Sequence, residues 1–446
     1  MTTANYPPGP KGKPILGSLF DFRRDMPGFL AKIAKKYGDI VYFKLGPQKA
    51  FLLNHPDFIK DVLVTHHRNF LKGPGIERSK PLLGNGLLNS EGDFHLRQRR
   101  IIQPVFHHTK IATYGRVMVE YASNTSERWQ EGATLEVHNE MMRLTLAIVG
   151  KTLFDADIDT EAGEISRAVN EFILRFPRSM LPFSGLMDKL PLPSNRRIKK
   201  SLQRLDSTIY RMIEERRVSR KDRRDLLSML LLARDEEGDR GGMTDLQVRD
   251  EAMTLLLAGH ETMANALAWT WYLLSQYPEV EDQLHRELNT VLDSHFPTVE
   301  DFEKLFYTRM VFAEAMRLYP PVWTVAPRVR EDYELGGYVI PADAIVFMSQ
   351  YVMHHDPRYY PNPFRFDPER WAPEQQASRP PFAYFPFGVG PRRCIGESFA
   401  WMEGVLVIAT LAQKWKMRLV PGHRVELQPS ITLRPKYGMQ MTLERR

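Results

Sequence analysis

Cysteine is the scarcest residue type of this chain, and Cys394 is the one cysteine among 446 residues. A single sulfur excludes an intrachain disulfide, a zinc site built from several cysteines and an iron–sulfur cluster. The lack of cysteine pairs also agrees with a reducing compartment. Three roles stay open for Cys394 at this point: a catalytic nucleophile, a haem axial ligand or a buried apolar side chain.

Long hydrophobic runs are missing as well. No apolar stretch reaches the ~20 residues that a membrane-spanning helix needs, and residues 1–10 do not resemble a secretory leader. We therefore expect a cytoplasmic protein without a membrane span. We also expect a monomer. The formal charge of +7 indicates either solubility or a basic surface for an acidic partner. Because no nucleic-acid-binding motif accompanies this charge, we expect no nucleic-acid partner.

Internal repeats, low-complexity tracts and dividing linkers are also absent, so we expect one domain over residues 1–446. Apolar residues recur with a mostly helical period from about residue 55 to 320, and strand-like runs lie outside this region. The strand-like runs are residues 40–45 and 50–53, joined by a predicted turn at 46–49, and residues 334–340, 417–420, 431–434 and 439–443. This pattern predicts a mostly α fold of the α+β class, with a large helical lobe and a smaller β-rich lobe.

One predicted helix is unusually long. Thr244 and Gln247 have the spacing of a capping box, and the helical pattern continues to Gln276, just before the Tyr277–Pro278 pair that should end it. The segment is about 32 residues long, or roughly 48 Å at 1.5 Å per residue. Because its middle is largely apolar, we expect this helix to run through the core.

Polar residues interrupt that apolar middle in the sequence Ala258-Gly259-His260-Glu261-Thr262. Burying a carboxylate and a hydroxyl costs free energy, and a threonine hydroxyl can bond a carbonyl one turn back and bend the helix. Two interpretations stay open. The motif is either a tolerated polar kink, or a hydroxyl and a carboxylate that relay protons to a reaction centre, with Gly259 leaving room for a ligand. We expect His260 to be a packed residue rather than a catalyst.

Cys394 lies within the sequence Phe-Gly-Val-Gly-Pro-Arg-Arg-Cys-Ile-Gly, residues 387–396, and a helix is predicted to follow it directly. A cysteine at a helix N-terminus beside arginines has a lowered pKa, because the helix dipole and the cations both favour the thiolate. This setting favours a thiolate with a chemical role over a buried apolar cysteine.

Glu314 and Arg317 are three residues apart on a predicted helix and can therefore form an ion pair on one face. Such a pair alone is weak evidence, since similar pairs are common on helix surfaces. It gains weight because Pro320 and Pro321 end the helix, and because the downstream segment 366–371, Phe-Asp-Pro-Glu-Arg-Trp, offers a second arginine at Arg370.

Taken in chain order, these motifs resemble those of the cytochrome P450 family. Residues 387–396 match the family's haem-binding signature F-x-x-G-x-R-x-C-x-G at every fixed position. Residues 258–262 resemble its oxygen-activating helix motif, and Glu314 and Arg317 resemble its E-x-x-R motif, with Arg370 completing a structural ion-pair triad. The resemblance covers essentially the whole chain and implies the cytochrome P450 fold.

The resemblance also implies a haem b cofactor, iron protoporphyrin IX, and a role for each matched residue. Cys394 would be the proximal thiolate ligand of the iron, and Glu261 and Thr262 would deliver protons during O2 activation. The other cofactor-binding residues implied are His95, Arg99, Ala258, Gly259, Arg328, Phe387, Gly388, Arg392 and Gly396.

Contacts with the haem propionates are implied for Arg392 and for His95 and Arg99, which lie four residues apart on a predicted helix. Arg328 would add a further contact. The spacing around Arg328 matches the family pattern imperfectly, so Arg330 is an alternative candidate for this haem contact.

The implied activity is that of a monooxygenase, which inserts one oxygen atom from O2 into an apolar organic substrate by hydroxylation or epoxidation. Because the chain ends soon after the C-terminal strands, we expect a separate ferredoxin or flavodoxin-type electron donor with its reductase. A peroxide-using or rearranging haem-thiolate enzyme is the alternative, although Thr262 argues against it; a haem sensor or carrier is a third interpretation.

The candidate substrate-binding segments are residues 71–88, 172–193, 255–258, 322–325 and 431–433. A fatty acid, terpenoid, steroid or macrocycle would fit their apolar character.

Basic residues accompany the implied haem ligands. Arg97, Arg100 and Arg393 would steer an acidic electron donor toward the thiolate side of the haem, an effect that salt screens. The alternative is that these arginines only hydrate the surface.

Overall fold

The computed structural model describes residues 5–155, 192–219, 223, 225–235, 238 and 241–446. The chain divides into unit 1, Met1–Glu77 with Ala313–Cys394, and unit 2, Arg78–Phe312 with Ile395–Arg446. The expectation of a single domain stays a prediction. Nearly all of the candidate substrate-binding segment 172–193 lies outside the described residues.

Among the described residues, the helices outnumber the strands and are longer. The α-helices of the described residues are α1 (Leu19–Arg24), α2 (Met26–Tyr37), α3 (Pro56–Lys60), α4 (Pro74–Glu77), α5 (Lys80–Leu83), α6 (Gly92–Ile102), α7 (His108–Glu127), α8 (Val137–Phe154), α9 (Pro193–Ser219), α10 (Leu226–Leu232), α11 (Asp245–Gln276), α12 (Pro278–Leu292), α13 (Phe306–Leu318), α14 (Gln350–His354), α15 (Pro373–Ala377) and α16 (Glu397–Ala412). The strands are β1 (Ile40–Leu45), β2 (Gln48–Leu53), β3 (Phe70–Leu71), β4 (Thr134–Glu136), β5 (Arg328–Val329), β6 (Tyr333–Leu335), β7 (Tyr338–Ile340), β8 (Ile345–Phe347), β9 (Trp415–Leu419), β10 (Leu427–Pro429), β11 (Leu433–Pro435) and β12 (Gln440–Arg445). The predicted mostly α fold of the α+β class is confirmed.

Unit 1 is built around a five-stranded sheet with the strand order β1-β2-β8-β5-β3. Strands β1 and β2 form an antiparallel hairpin in which Leu45 pairs with Gln48. The turn therefore holds two residues rather than the predicted four, and the φ of 63° at Gly46 permits this tighter turn. One core beneath the sheet joins Phe51 and Val346 to Phe385, which lies close in sequence to Cys394.

The strand-like run at 334–340 is a hairpin rather than one strand. Gly336 and Gly337 both take positive φ and reverse the chain between β6 and β7, which pair antiparallel. A left-handed backbone is accessible to glycine without steric cost. The two adjacent glycines are thus the reason why the predicted strand is split.

Unit 2 is mainly helical, and α11 is its longest helix. The Thr244 side chain caps the backbone of Gln247 in the predicted capping box, and the helix ends at Gln276. Most side chains of α11 are buried, and it packs against α8 and α9. The expectation that this helix runs through a core is confirmed.

The predicted C-terminal strands are present in unit 2 as β9, β11 and β12, each within two residues of the predicted bounds. Strand β12 pairs with both β4 and β9, and β10 pairs with β11. Among the helices of the described residues, none combines the length and the apolar character that crossing a membrane requires.

Candidate active site

The end of unit 1 presents Cys394 on a closed loop. The backbone N–H of Cys394 donates to the carbonyl oxygen of Phe387 at 2.9 Å. Gly388 and Gly390 take φ values of 68° and 71° inside this loop, and a Cβ on Gly390 would overlap the carbonyl oxygen of Leu63. Glycine is therefore required where the backbone turns, and the turn leaves the Cys394 side chain exposed.

The helix after Cys394 starts later than predicted. Cys394 follows a 3-10 turn over Gly390–Arg392, and α16 begins only at Glu397, with Gly396 at its N-cap. The dipole of a helix acts mainly within its first turn. The expected position of the cysteine at the helix N-terminus is therefore wrong, and any electrostatic support for a thiolate has to come from other groups.

A buried ion-pair cluster lies in the same unit. Arg317 donates to both carboxylate oxygens of Glu314 at 2.8 Å, and both side chains are 0% exposed. The Arg370 guanidinium lies 3.3 Å from the same carboxylate, and Trp371 Nε1 donates to it at 3.0 Å. The structure thus brings the three predicted triad residues together. It adds Trp371, to which the sequence analysis assigned no role.

Arg317 also connects this cluster to the backbone just before the Cys394 loop. Its guanidinium donates to the carbonyl oxygen of His354 at 2.8 Å, and His354 Nε2 accepts from the backbone N–H of Phe385 at 3.1 Å. Burial lowers the pKa of His354 well below its usual value, so the ring is neutral and Nε2 can accept. Sequence reasoning missed His354, because no local motif marks it.

In unit 2, α11 is accessible to solvent at its middle. Ala258 is exposed and Gly259 and Thr262 are half-buried, although most of the helix is buried. The Thr262 hydroxyl donates to the carbonyl oxygen of Ala258 at 2.6 Å, one turn back as predicted. A Cβ on Gly259 would lie 3.0 Å from Val149 of α8. Packing against α8 therefore favours glycine here, in addition to any need for ligand space.

Glu261 is buried in an ion pair. It accepts from Arg434 Nε at 2.6 Å and from the Thr432 hydroxyl, so it ties α11 to the β10–β11 hairpin. Its role in proton delivery stays a prediction beside this packing role. The neighbouring His260 is fully buried, and burial lowers its pKa to about 3. The expectation that His260 is a packed residue is confirmed.

The residues expected to contact propionates fall in both units. His95 and Arg99 lie one turn apart on α6 in unit 2, where His95 is buried and Arg99 is half-buried. Residues at this spacing share one face of a helix. Arg392 is half-buried in unit 1. Their contacts with a propionate stay predictions.

Arg328 already has carboxylate partners in unit 1. Its guanidinium lies 3.0 Å from Glu77 and 3.9 Å from Asp343. A propionate at Arg328 would therefore compete with Glu77. The side chain of the rival Arg330 is exposed, and the choice between the two arginines stays open.

Arg97 and Arg100 are less available to a partner than the sequence predicts. Arg100 donates to Asp235 at 3.1 and 2.8 Å, and Arg97 donates to the carbonyl oxygens of Gly241 and Gly242 at 3.0 Å. The Arg97 side chain is 15% exposed and the Asp235 side chain 3% exposed. These two arginines hold the segment around Asp235, whereas Arg393 is exposed.

Each unit by itself offers groups that suit a haem. Unit 1 holds an exposed thiol on a loop whose glycines keep side chains away from the backbone near the sulfur. Unit 2 holds a helix with two small residues at its accessible middle, the exposed Ala258 and the half-buried Gly259. A thiolate donor and a side-chain-poor surface are what an axially ligated macrocycle needs.

Comparison with known proteins identifies a family. The family model described as Cytochrome P450 matches residues 7–443. Cyclooctatin synthase of Streptomyces melanosporofaciens is 40% identical over 95% of this chain and 92% of its own length. Cyclooctat-9-en-7-ol 5-monooxygenase of the same organism is also 40% identical, over 93% of this chain and 90% of its own.

Similarity extends to a third relative and to a solved structure. Pentalenene oxygenase of Streptomyces avermitilis is 34% identical over 96% of this chain and 92% of its own length. The structure of cyanobacterial CYP120A1 with retinoic acid bound matches with a TM-score of 0.88 and 26% identity, covering 100% of both chains. These matches agree with the fold inferred from the elements above.

Proposed function

The chain belongs to the cytochrome P450 family of haem-thiolate monooxygenases, and we propose that it oxygenates an apolar terpene hydrocarbon or terpene alcohol. One oxygen atom from O2 would enter the substrate as a hydroxyl or an epoxide. The observation that supports this most is the presentation of the chain's one cysteine, Cys394, exposed on a loop that requires glycine at its turns.

The terpenoid class is supported by names and by chemistry. The relatives described above are named for cyclooctat-9-en-7-ol and pentalenene. The candidate substrate-binding segments 255–258, 322–325 and 431–433 contain no charged residue, whereas segment 71–88 contains charged residues only at positions 72, 77, 78 and 80. A fatty acid would need a cation for its carboxylate, whereas a terpene needs apolar surface and at most one hydrogen bond.

The cofactor would be held by side chains of this chain. Cys394 would bind the iron, and Arg392, His95 and Arg99 would bind the propionates. When bound, the haem supplies the centre at which O2 is reduced and one oxygen atom is transferred. The buried cluster around Glu314 would keep the backbone before the Cys394 loop in place.

Proton handling would depend on α11. The Thr262 hydroxyl, which donates to Ala258 at 2.6 Å, would hold a proton on the accessible face of the helix. To replenish that proton, Glu261 would first have to take one up and release Arg434, whose ion pair holds the helix to the β10–β11 hairpin.

Electrons would come from a ferredoxin or flavodoxin-type donor with its reductase, in the cytoplasm, and the enzyme would act as a monomer. Arg393 is exposed beside the exposed Cys394 and offers a positive charge to an acidic donor. Arg97 and Arg100 contribute less than the sequence predicts, because Asp235 neutralises part of their charge.

The test uses the haem-loaded protein with a bacterial ferredoxin, its reductase and ¹⁸O2. Cyclooctat-9-en-7-ol, pentalenene and palmitate are compared, first by the spectral shift on binding and then by mass spectrometry of products. We expect a terpenoid to shift the spectrum and to gain one ¹⁸O atom. A shift with palmitate alone would overturn the substrate class. Turnover supported by H2O2 but not by O2 and the donor would favour the peroxide-using alternative.

A further inference from the structure

The loop over residues 84–90 is docked onto the first turns of α11 in unit 2. The backbone N–H of Asn85 donates to Asp250 at 2.7 Å, and that of Leu87 donates to Glu251 at 2.9 Å. A Cβ on Gly84 would overlap the Asp250 carboxylate. The loop therefore approaches the helix so closely that two consecutive acids of α11 replace the hydrogen-bonding partners that its backbone would find in water.

Glu251 also reaches a third element. Its second carboxylate oxygen accepts from Gln98 Nε2 of α6 at 2.9 Å. The Gln98 amide is oriented by Arg97, whose Nη1 donates to the Gln98 carbonyl oxygen at 3.2 Å. Gln98 directly precedes Arg99 and lies one turn after His95 on α6. One buried carboxylate thus joins α11, loop 84–90 and α6.

The charges around Glu251 come from a small number of groups. Residues 84–90 include no titratable side chain. Helix α6 contributes the neutral Gln98 and, on the far side of its amide, the cation Arg97, and α11 contributes Asp250. Asp250 is itself paired with Arg249 at 2.9 Å. Burial raises the pKa of Glu251 to about 7, although the hydrogen bonds from Leu87 and Gln98 act to lower it; the Asp250 charge adds a smaller upward effect. This carboxylate therefore lacks a cation of its own and depends on its two neutral donors.

We propose that Glu251 is a positioning residue: its two hydrogen bonds fix loop 84–90 and α6 to α11, and so set the place of a substrate-binding loop and of His95 and Arg99. The identity of what the loop and the helix bind rests on the proposed function. The geometric link itself does not, since it consists of contacts within this chain.

The test exchanges the amide and the carboxylate of the Gln98–Glu251 pair. Gln98→Glu places two carboxylates together, so at pH 8 the link should fail. The double variant Gln98→Glu/Glu251→Gln restores it, because the new amide can accept from Leu87 and donate to the new carboxylate, which Arg97 also contacts. Gln375→Glu, at an exposed glutamine on α15, is the matched control for gain of one negative charge.

Hydrogen–deuterium exchange of the haem-loaded proteins measures the protection of the backbone N–H groups in loop 84–90. In Gln98→Glu, the protection of the peptide containing Leu87 should fall by about tenfold or more, the usual effect of losing a hydrogen bond to a charged group. The double variant should return to within about twofold of the wild type. Lowering the pH to 6 should restore protection in Gln98→Glu, because two adjacent carboxylates then share a proton.

Haem content and the dissociation constant of imidazole, read from the spectral shift, provide a second measurement. Both should change in Gln98→Glu and recover in the double variant. Unchanged loop protection in Gln98→Glu, or no recovery in the double variant, overturns the positioning role. Because exchange needs no substrate or electron donor, it remains decisive if the chain proves not to oxygenate terpenoids.

Discussion

Replacing Arg317 should lower the stability of the folded protein and the amount of haem that it retains. Arg317→Ala deletes two hydrogen bonds to Glu314 at 2.8 Å. The Glu314 carboxylate, 0% exposed, keeps Arg370 at 3.3 Å and the neutral donor Trp371 at 3.0 Å but loses its bidentate partner. The substitution also removes the donor to the carbonyl oxygens of His354 and Pro363 at 2.8 and 2.7 Å. A buried ion pair that loses one partner costs about 3–5 kcal/mol, and a whole domain is stable by only about 5–15 kcal/mol.

The assay combines urea unfolding with the ratio of haem to protein in the purified chain. Arg309→Ala is the control on the same helix, because Arg309 pairs with Glu303 at 2.9 Å while these side chains are 28% and 75% exposed. An exposed pair is worth about 0–1 kcal/mol, so this variant should keep its haem. Arg317→Lys should be intermediate, since lysine cannot make the bidentate contact. Full haem content in Arg317→Ala, with a stability loss as small as in Arg309→Ala, would refute the reasoning.

Cys394→Ser should abolish the thiolate-type spectrum of the reduced, CO-bound protein, because methionine is the other sulfur donor and gives a different ligand field; a wild-type spectrum would contradict the ligand assignment. Thr262→Ala should keep its haem but lower coupled product formation by roughly 10²-fold with release of peroxide, whereas Thr262→Ser should stay coupled; equal coupling in both would make Thr262 a kink residue. Glu251→Gln should remove a pH dependence of stability: the pKa of Glu251 is about 7 in the folded protein against 4.5 ordinarily, so its contribution is fully present below about pH 4.5 and is lost as the pH rises to about 7. Urea midpoints of the two proteins that stay parallel from pH 5 to 8 would argue against this assignment. Arg100→Glu should lower the melting temperature, because the buried Asp235 loses its partner at 2.8 Å; an unchanged melting temperature with a raised KM for the donor would restore the steering role.

Local patterns in the sequence predict the elements whose causes are local. The capping box at Thr244 and the apolar run after it account for α11 within a residue at its start. The spacing of Glu314 and Arg317, together with the prolines that end their helix and the downstream Arg370, predicts the ion pair that the structure contains. The predicted strand boundaries are wrong where a glycine forms a turn, as at Gly336. The division of the predicted strand into β6 and β7 depends on a positive φ, which apolar periodicity does not reveal.

Long-range contacts account for what the sequence could not predict. Glu251 bonds Leu87, which is 164 positions away, and nothing near either residue marks the pair. Asp235 similarly pairs with Arg100 from 135 positions away, so an arginine predicted to act only at the surface also makes a structural contact. Glu261 was identified from its motif, but its partner Arg434 lies 173 positions further along the chain. In each case the tertiary fold determines which residue is the partner, whereas a local motif can identify only one residue of the pair.

The loop from Phe387 to Cys394 closes through its own backbone, and Gly390 lies against the carbonyl of Leu63. Both contacts lie entirely within the polypeptide. The ligand-bearing turn therefore takes its shape from backbone contacts within the polypeptide. No change of side chain at Leu63 could make room for a Cβ at position 390, because the overlapping atom is a backbone oxygen.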